Sequence, residues 1–393
     1  MAAPERYWDR KDLERRLCQT LDFARRAVER LAATGYSDPL EPGSSVPSEK
    51  LISETAFLLV AASARHHCDE VRKRIRDVAE ILIPHARSER MLMGVCLRPS
   101  LALDYAMPHV CLGRLGFPDS GFDALLQQSE GSQARAGHER VPHRMMEQQW
   151  IADNRRSRAT RYSARYSARH SVLNRPMDLL NGSRDDIYGF THALMYATDL
   201  NLRPRSLRRS RTAILAEADV AIARCLDEQD YDLGGEVLLA WPLTGRSWSA
   251  AAAFGFRMLA SDSLPASSYH EVYVRGLLYA AALQPGRLPP KNIPTEGAAP
   301  GSANGMLKFV DTGPRAPRWR EEFDKLEGSE RDALAGFLFH VALRRKIRRH
   351  RYGEVNELLH AGHEFGLTNS PAASQAVELL QRVATCTRLV KAS

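Results

Sequence analysis

The sequence predicts an all-α protein, and three observations carry the prediction. Ala, Leu and Arg dominate the 393 residues and β-branched residues are sparse, a composition that favours closely packed helices. Apolar residues recur at three- and four-residue steps through most of the chain, the period of a one-sided helix. Nowhere does a two-residue alternation bounded by turn residues offer a strand.

Taken in order, a first helix covers 8–34, where Leu13, Leu17, Leu21, Phe23, Ala24, Val28 and Leu31 form the apolar stripe among charges. Pro39, Pro42, Gly43 and Pro47 mark a loop. Ser48 caps a second helix with Ile52, Ala56, Leu59 and Val60 on its buried side. A third runs through Val71, Ile75, Val78 and Leu82 and stops at Pro84. Shorter pieces follow at 91–97, 101–105 and 110–115, punctuated by Pro99, Pro108, Gly116 and Pro118. Residues 129–142 read as a loop, and 145–150 restart a helix. Arg161-Tyr162-Ser163-Ala164-Arg165-Tyr166-Ser167-Ala168-Arg169 is a tandem four-residue repeat. It is either a helix stacking Arg161, Arg165 and Arg169 on one side or a basic loop. Dense periodicity resumes at 184–200, 210–229, 232–241, 246–261 and 268–283. After a Pro/Gly-rich stretch come helices at 319–351 (broken near Gly328), 353–365 and 371–390.

The short connections imply antiparallel neighbours. A helical-hairpin array follows, either α/α-toroid-like or a curved solenoid; a toroid gathers the N-terminal ends of its inner helices around a central cavity. The regions are an N-terminal helical part (1–130), a basic loop or insert (131–183), a central helical part (184–285), a linker or lid (286–318) and C-terminal helices (319–393), all packed as one unit.

The six cysteines are scattered without a CxxC pair, which argues for free thiols rather than a disulfide framework. The N-terminal residues enter a charged helix with no apolar signal segment, and no apolar run is long enough to span a bilayer, so a cytoplasmic location is expected. The formal net charge of +8 comes mostly from arginine clustered at 155–175, 203–211 and 344–351. Such clusters attract anionic partners, although an Arg-rich surface also arises without any partner.

The segment richest in chemistry is the helix from Asp185 to Asp199. One side carries Ile187, Phe190, Leu194 and Ala197, an ordinary core stripe. The other carries Asp185, Tyr188, His192, Met195, Tyr196 and Asp199 at spacings of three and four. Aromatic rings with polar tips suit the wall of a partly dry cavity. His192 is a candidate proton donor or acceptor. Asp185 or Asp199 is placed to fix its tautomer, and Tyr188 and Tyr196 to stabilise an oxyanion. Arg184 offers a planar fork for a carboxylate or phosphate. The acidic turn 227–232 leads to Glu236 and Trp241, both expected inside the structure. Arg175 and Arg184 are possible partners for its carboxylates, and Arg161, Arg165 and Arg169 would attract an acidic substrate. A polar network that merely joins helices would use the same residue types.

Metal ligation is the weaker reading. His109 and Cys111 do not converge on a helix face, His360 and His363 lack a third ligand, and Asp185-Asp186 lacks a matching acid three to four residues on, where Gly189 and Phe190 stand. No phosphate loop, dinucleotide fingerprint or nucleophile elbow occurs, so no cofactor is expected.

The strings at 101–112, 184–199 and 231–242 resemble a group of actinobacterial helical proteins. Their recurring core is Thr-His-Ala-x-x-Tyr-x-Thr-Asp, here Thr191, His192, Ala193, Tyr196, Thr198 and Asp199. The resemblance spans about 80–285. Some members sit with biosynthetic genes for specialised metabolites of the class V lanthipeptide type. The resemblance therefore implies a peptide cyclase related in shape, though not in zinc ligands, to the lanthionine cyclases, whose Cys and Cys-His zinc pattern has no match here. Two readings stand side by side. One is a specialised-metabolism enzyme using acid/base chemistry on an acidic peptide or small molecule, with other biosynthetic enzymes as expected partners. The other is a noncatalytic helical protein that binds a peptide or ligand. A nucleic-acid partner is disfavoured by the lack of a helix-turn-helix or of interleaved stacking aromatics.

Overall fold

The structure, a computed structural model, describes residues 7–34, 48–64, 68–132, 139–155, 169–261, 266–295, 303–310 and 316–392. Among these residues the protein is all-α and contains no strand; Tyr7 and Pro290 form an isolated bridge. Residues 156–168, with Arg161 and Arg165 and most of the tandem repeat, lie outside the described residues, while Arg169 is exposed.

The first helices are α1 (Arg10–Thr34), α2 (Ser48–Ala62), α3 (Asp69–Ala86), α4 (Glu89–Leu97), α5 (Ala102–Arg114), α6 (Ser120–Glu130) and α7 (Pro142–Arg155). The central set is α8 (Arg184–Thr198), α9 (Arg211–Asp227), α10 (Tyr231–Leu238), α11 (Ala240–Thr244), α12 (Ala250–Leu259) and α13 (Tyr269–Ala282). The C-terminal set is α14 (Ala303–Leu307), α15 (Arg318–Asp324), α16 (Gly328–Asp332), α17 (Ala335–Arg348), α18 (Tyr352–Glu364) and α19 (Pro371–Ala392).

Local chemistry explains where several of these begin. Ser210, Ser249 and Ser268 each accept a backbone N–H at the start of α9, α12 and α13, and Asp119 does so for α6. Ser183 and Asp186 form a reciprocal capping box at α8, the arrangement that satisfies two orphan donors at once.

The structure corrects several boundaries. Residues 101–115 form one main helix rather than two pieces, because Pro84 and Pro108 sit inside α3 and α5; burial of the surrounding apolar side chains offsets the lost hydrogen bond. The expected helix at 232–241 splits into α10 and α11. A helix the sequence reading had not marked, α6, follows Pro118, and α14 lies inside the expected linker.

Six helices close a ring. Contacts run from α2 to α5, α5 to α7, α7 to α8, α8 to α10, α10 to α13, and α13 back to α2. Outside them α1 packs on α3 and α13, and α9 on α10 and α17. Small residues let the ring shut. A Cβ on Gly235 of α10 would stand 2.6 Å from Val274 Cγ1 of α13, and one on Gly276 would meet Thr20 and Leu58. The core is continuous from Leu13 to Ala376, with Phe57, Phe190, Trp241, Phe254 and Phe339 fully buried.

Candidate functional site

A cavity of about 580 Å³ opens within the ring. Phe57, Met107, Ile151, Tyr188, Tyr196 and Tyr273 give it an apolar and aromatic wall, and Glu54, Glu147, Arg144, His192 and His270 reach the same space. Its lining comes from α2, α4, α5, α7, α8 and α13 together with Leu101, so helices far apart in sequence assemble it.

The expected band on α8 divides in two. Tyr188, His192 and Tyr196, one turn apart, all line the cavity. The Tyr188 and His192 rings lie 3.8 Å apart, centroid to centroid. Asp185 is exposed in the first turn of the helix, and Met195 is buried in the core.

Asp199 does not orient His192. It caps the C-terminus of α8 in the left-handed conformation, and Asp199, Leu200 and Asn201 have φ of 51°, 53° and 58°. Three consecutive non-glycine residues there are costly, and buried contacts hold them. Arg114 Nη1 donates to Asp199 Oδ1 at 2.9 Å, Arg203 Nε to Oδ2 at 2.6 Å and Trp150 Nε1 to Oδ1 at 2.8 Å. Asn201 Nδ2 donates to the Pro242 carbonyl, and Gln284 Nε2 to that of Leu200. Burial opposes the charge on Asp199, but Arg114 and Arg203 hold its carboxyl below the usual range. The carboxylate is a bolt in the scaffold.

The group that does meet His192 is Glu236, from α10. Its Oε2 accepts the Thr191 hydroxyl at 2.6 Å and lies 3.3 Å from His192 Nδ1. Nδ1 is also 3.1 Å from the Tyr188 carbonyl. Two oxygens without a proton to give face this nitrogen, which assigns the hydrogen to Nδ1. Nε2 has no partner among the described residues. Glu236 is 3% exposed. Burial works against its charge, but His192, His270 and the Thr191 hydroxyl pull its carboxyl well below the usual range.

His270 stands behind Glu236. Its Nδ1 is 2.6 Å from Glu54 Oε1, and its Nε2 is 3.2 Å from Asp232 Oδ1 and 3.6 Å from Glu236 Oε1. Burial disfavours the imidazolium, but Glu236, Glu54 and Asp232 outweigh it and lift the group to about 10. His270 is thus a fixed cation at neutral pH. His143, ring centroid 6.0 Å from that of His192, is the opposite case: burial and the neighbouring His192 lower it to about 4.

The two tyrosines differ. Tyr196 donates its hydroxyl to Glu147 Oε1 at 2.6 Å, and Glu147 Oε2 accepts Arg144 Nη1 at 2.7 Å. Among the described residues Tyr188 has only Arg144 Nη2 at 3.5 Å beside its oxygen, so its proton remains to be donated. Burial raises both phenols, which keeps them neutral donors rather than bases. Tyr196 is therefore corrected from oxyanion donor to wall.

The remaining expected residues lie elsewhere. Arg184 forks onto Asp230 and Asp232, with Nε to Asp230 Oδ2 at 2.7 Å, so its fork is filled by this chain's own acidic turn. Arg175 is exposed, away from the cavity. Trp241 is buried and stacks on Trp248. Arg169 is exposed and does not line the cavity. Sequence reasoning missed Glu54, Arg144, Glu147, His270 and Tyr273. Among the described residues no three His, Cys, Asp or Glu side chains gather so as to hold a metal ion, and no helix is long and apolar enough to cross a membrane.

No curated protein and no solved structure matches the chain. The family described as "Domain of unknown function (DUF6895)" matches residues 17–296, well over half of the chain and every helix of the ring. The chain belongs to the DUF6895 family.

Proposed function

We propose that this protein is an enzyme of specialised metabolism that moves protons within the ring cavity, with His192 as the shuttling group. The observation that carries the reading is the pairing of His192 Nδ1 with Glu236 and the Tyr188 carbonyl, which leaves Nε2 as the nitrogen available to a ligand. A carboxylate behind an imidazole fixes the tautomer and stabilises the imidazolium when it forms. Tyr188 supplies a neutral hydroxyl for a developing oxyanion. The ring of six helices would be the inner layer of an α/α toroid, and the cytoplasm the place of action.

The concrete case is cyclisation of a peptide by addition of a thiol to a dehydroamino acid, a reaction that needs no redox cofactor. His192 Nε2 takes the thiol proton, and the sulfur forms its bond to Cβ as the C=C pair shifts to join Cα to the carbonyl carbon and the C=O pair moves onto oxygen. The Tyr188 hydroxyl steadies that enolate, and the imidazolium returns the proton to Cα. Atoms and charge balance, and His192 ends as it began.

The test is turnover per folded molecule on a peptide carrying one cysteine and one dehydroalanine, followed by loss of free thiol. His192→Gln should keep the parental helical signal and melting temperature and lose about 10²-fold or more of the rate, the contribution of a positioned acid/base. A His192→Gln protein that folds normally and cyclises at the parental rate would refute the shuttle and leave a ligand-binding cavity.

A further inference from the structure

The polar groups on the His192 cavity fall into two sets. Its carboxylates are matched by donors of the chain itself. Glu49 pairs with Arg90, Asp104 with Arg140 and Glu54 with His270. Glu147 takes the Tyr196 hydroxyl and Arg144 Nη1. Glu54 Oε2 has no partner among the described residues, but that atom is shut off from water and so from a ligand. Beside His192 the wall instead carries donors, the Tyr188 hydroxyl and the Arg144 guanidinium.

Helix α7 brings Arg144 there. A Cβ on Gly189 would stand 3.3 Å from His143 Nδ1, so the missing side chain lets the first turn of α7 lie close against α8. Glu147, one turn on from Arg144, holds Nη1 at 2.7 Å and fixes the plane of the fork. Nη2 lies 3.5 Å from the Tyr188 oxygen. A guanidinium has hydrogens and no lone pair to offer. The Tyr188 oxygen therefore turns a lone pair toward Arg144 and its own hydrogen another way. Nη2 carries a pair of hydrogens, and this long contact takes up no more than one of them. A charged donor and a neutral donor thus share a wall with His192, whose ring centroid is 3.8 Å from that of Tyr188. Burial raises the Tyr188 phenol, and Arg144 works against that rise, which strengthens the hydroxyl as a donor.

We propose that Arg144 Nη2 and the Tyr188 hydroxyl together bind an anionic oxygen of the ligand, so that Arg144 is a second donor to the enolate and the cavity accepts organic carboxylates. Two donors side by side, one of them a guanidinium, favour an oxyanion over a neutral carbonyl. The aromatic wall of Phe57, Tyr196 and Tyr273 suits a flat apolar body behind that oxygen. The enolate role rests on the reaction proposed above, and the anion site it requires is measured without turnover.

Isothermal titration of the full chain with benzoate tests it, with benzamide as the neutral isostere. The parent protein should bind benzoate roughly tenfold or more tighter than benzamide, the scale of a charge-assisted pair. That comparison needs no variant. Arg144→Gln should remove the preference and keep the parental melting temperature, because the side chain is half-exposed and Glu147 retains the Tyr196 hydroxyl. Tyr188→Phe should weaken benzoate in the same direction. Arg169→Gln removes an exposed charge away from the cavity and should leave both affinities unchanged, which separates contact from net charge. Benzoate bound no tighter than benzamide, an Arg144→Gln protein that keeps the preference, or an equal loss in Arg169→Gln would overturn the proposal. Loss of the preference in Arg144→Gln, with no peptide cyclised by the parent, would uphold the donor pair and strike only the His192 shuttle.

Discussion

Asp199 and Glu236 are both buried carboxylates, 1% and 3% exposed, and both sit against helix α8, yet they do different work. Asp199 is saturated by two guanidiniums and an indole. None of those donors lines the His192 cavity: Arg203 faces solvent, and Trp150 packs behind Phe57 and Tyr196 of its wall. Glu236 has a hydroxyl and two imidazoles as partners, and one of those imidazoles carries a second nitrogen that remains open. The lesson is that burial and charge alone do not mark a site. What marks it is a chain of partners that stops at a group with an unused lone pair on a cavity wall.

The comparison breaks most visibly if Asp199 is neutralised. Asp199→Asn should destabilise the fold by about 3 kcal/mol, the lower end of what a largely buried ion pair, here with Arg114, costs when one charge is removed, read as a lower urea midpoint. Activity per folded molecule should persist. Loss of activity in the folded fraction would make Asp199 part of the site after all.

Titration probes the other carboxylate. His270 is raised to about 10 in the folded state, against ~6.5 for an unperturbed histidine, so the folded protein binds more protons across that interval. The stabilisation is complete below pH ~6.5 and is lost as pH rises toward 10, with a slope approaching ~1.4 kcal/mol per pH unit. Chemical unfolding at several pH values should show this decline, and His270→Asn should flatten it. An unchanged slope in His270→Asn would assign the proton uptake to other groups.

The smallest effect separates the two tyrosines. Tyr196→Phe leaves Glu147 short of a buried donor and should cost ~1–3 kcal/mol. Tyr188→Phe removes a hydroxyl whose nearest partner is 3.5 Å away, and should change stability by less than ~0.5 kcal/mol while lowering turnover. Equal melting temperatures for the two variants would contradict the assignment of Tyr196 to the wall.

How much of this the sequence displayed follows from distance along the chain. Tyr188, His192 and Tyr196 share one face of one helix, so a local period reveals them. Their partners do not share an element. Glu54 and His270 are 216 residues apart and meet only because α13 closes the ring onto α2. Glu236 was visible as an acid entering an apolar helix and in need of a partner; of the two candidate arginines, Arg184 does pair with the acidic turn at Asp230 and Asp232, but Glu236 itself is met by the Thr191 hydroxyl and two imidazoles. The signal that could have found Glu54 and Glu147 was the same one, a carboxylate with apolar neighbours on its own helix face: Glu54 with Leu51, Phe57 and Leu58, Glu147 with Trp150 and Ile151. Asp199 misled because helical spacing was extended one residue too far. The left-handed turn that begins there swings its carboxylate away from His192, and no periodicity encodes that turn.

The central claim, that Glu236 holds His192 as the Nδ1–H tautomer and leaves Nε2 open, can be read without a substrate. Nitrogen-15 and carbon-13 imidazole NMR of the folded chain at neutral pH, with His192 assigned by substitution, reports which nitrogen carries the proton. The account predicts Nδ1–H for His192 with both nitrogens of His270 protonated, and a shift of the His192 tautomer in Glu236→Gln. An Nε2–H tautomer for His192 in the parent protein would contradict it.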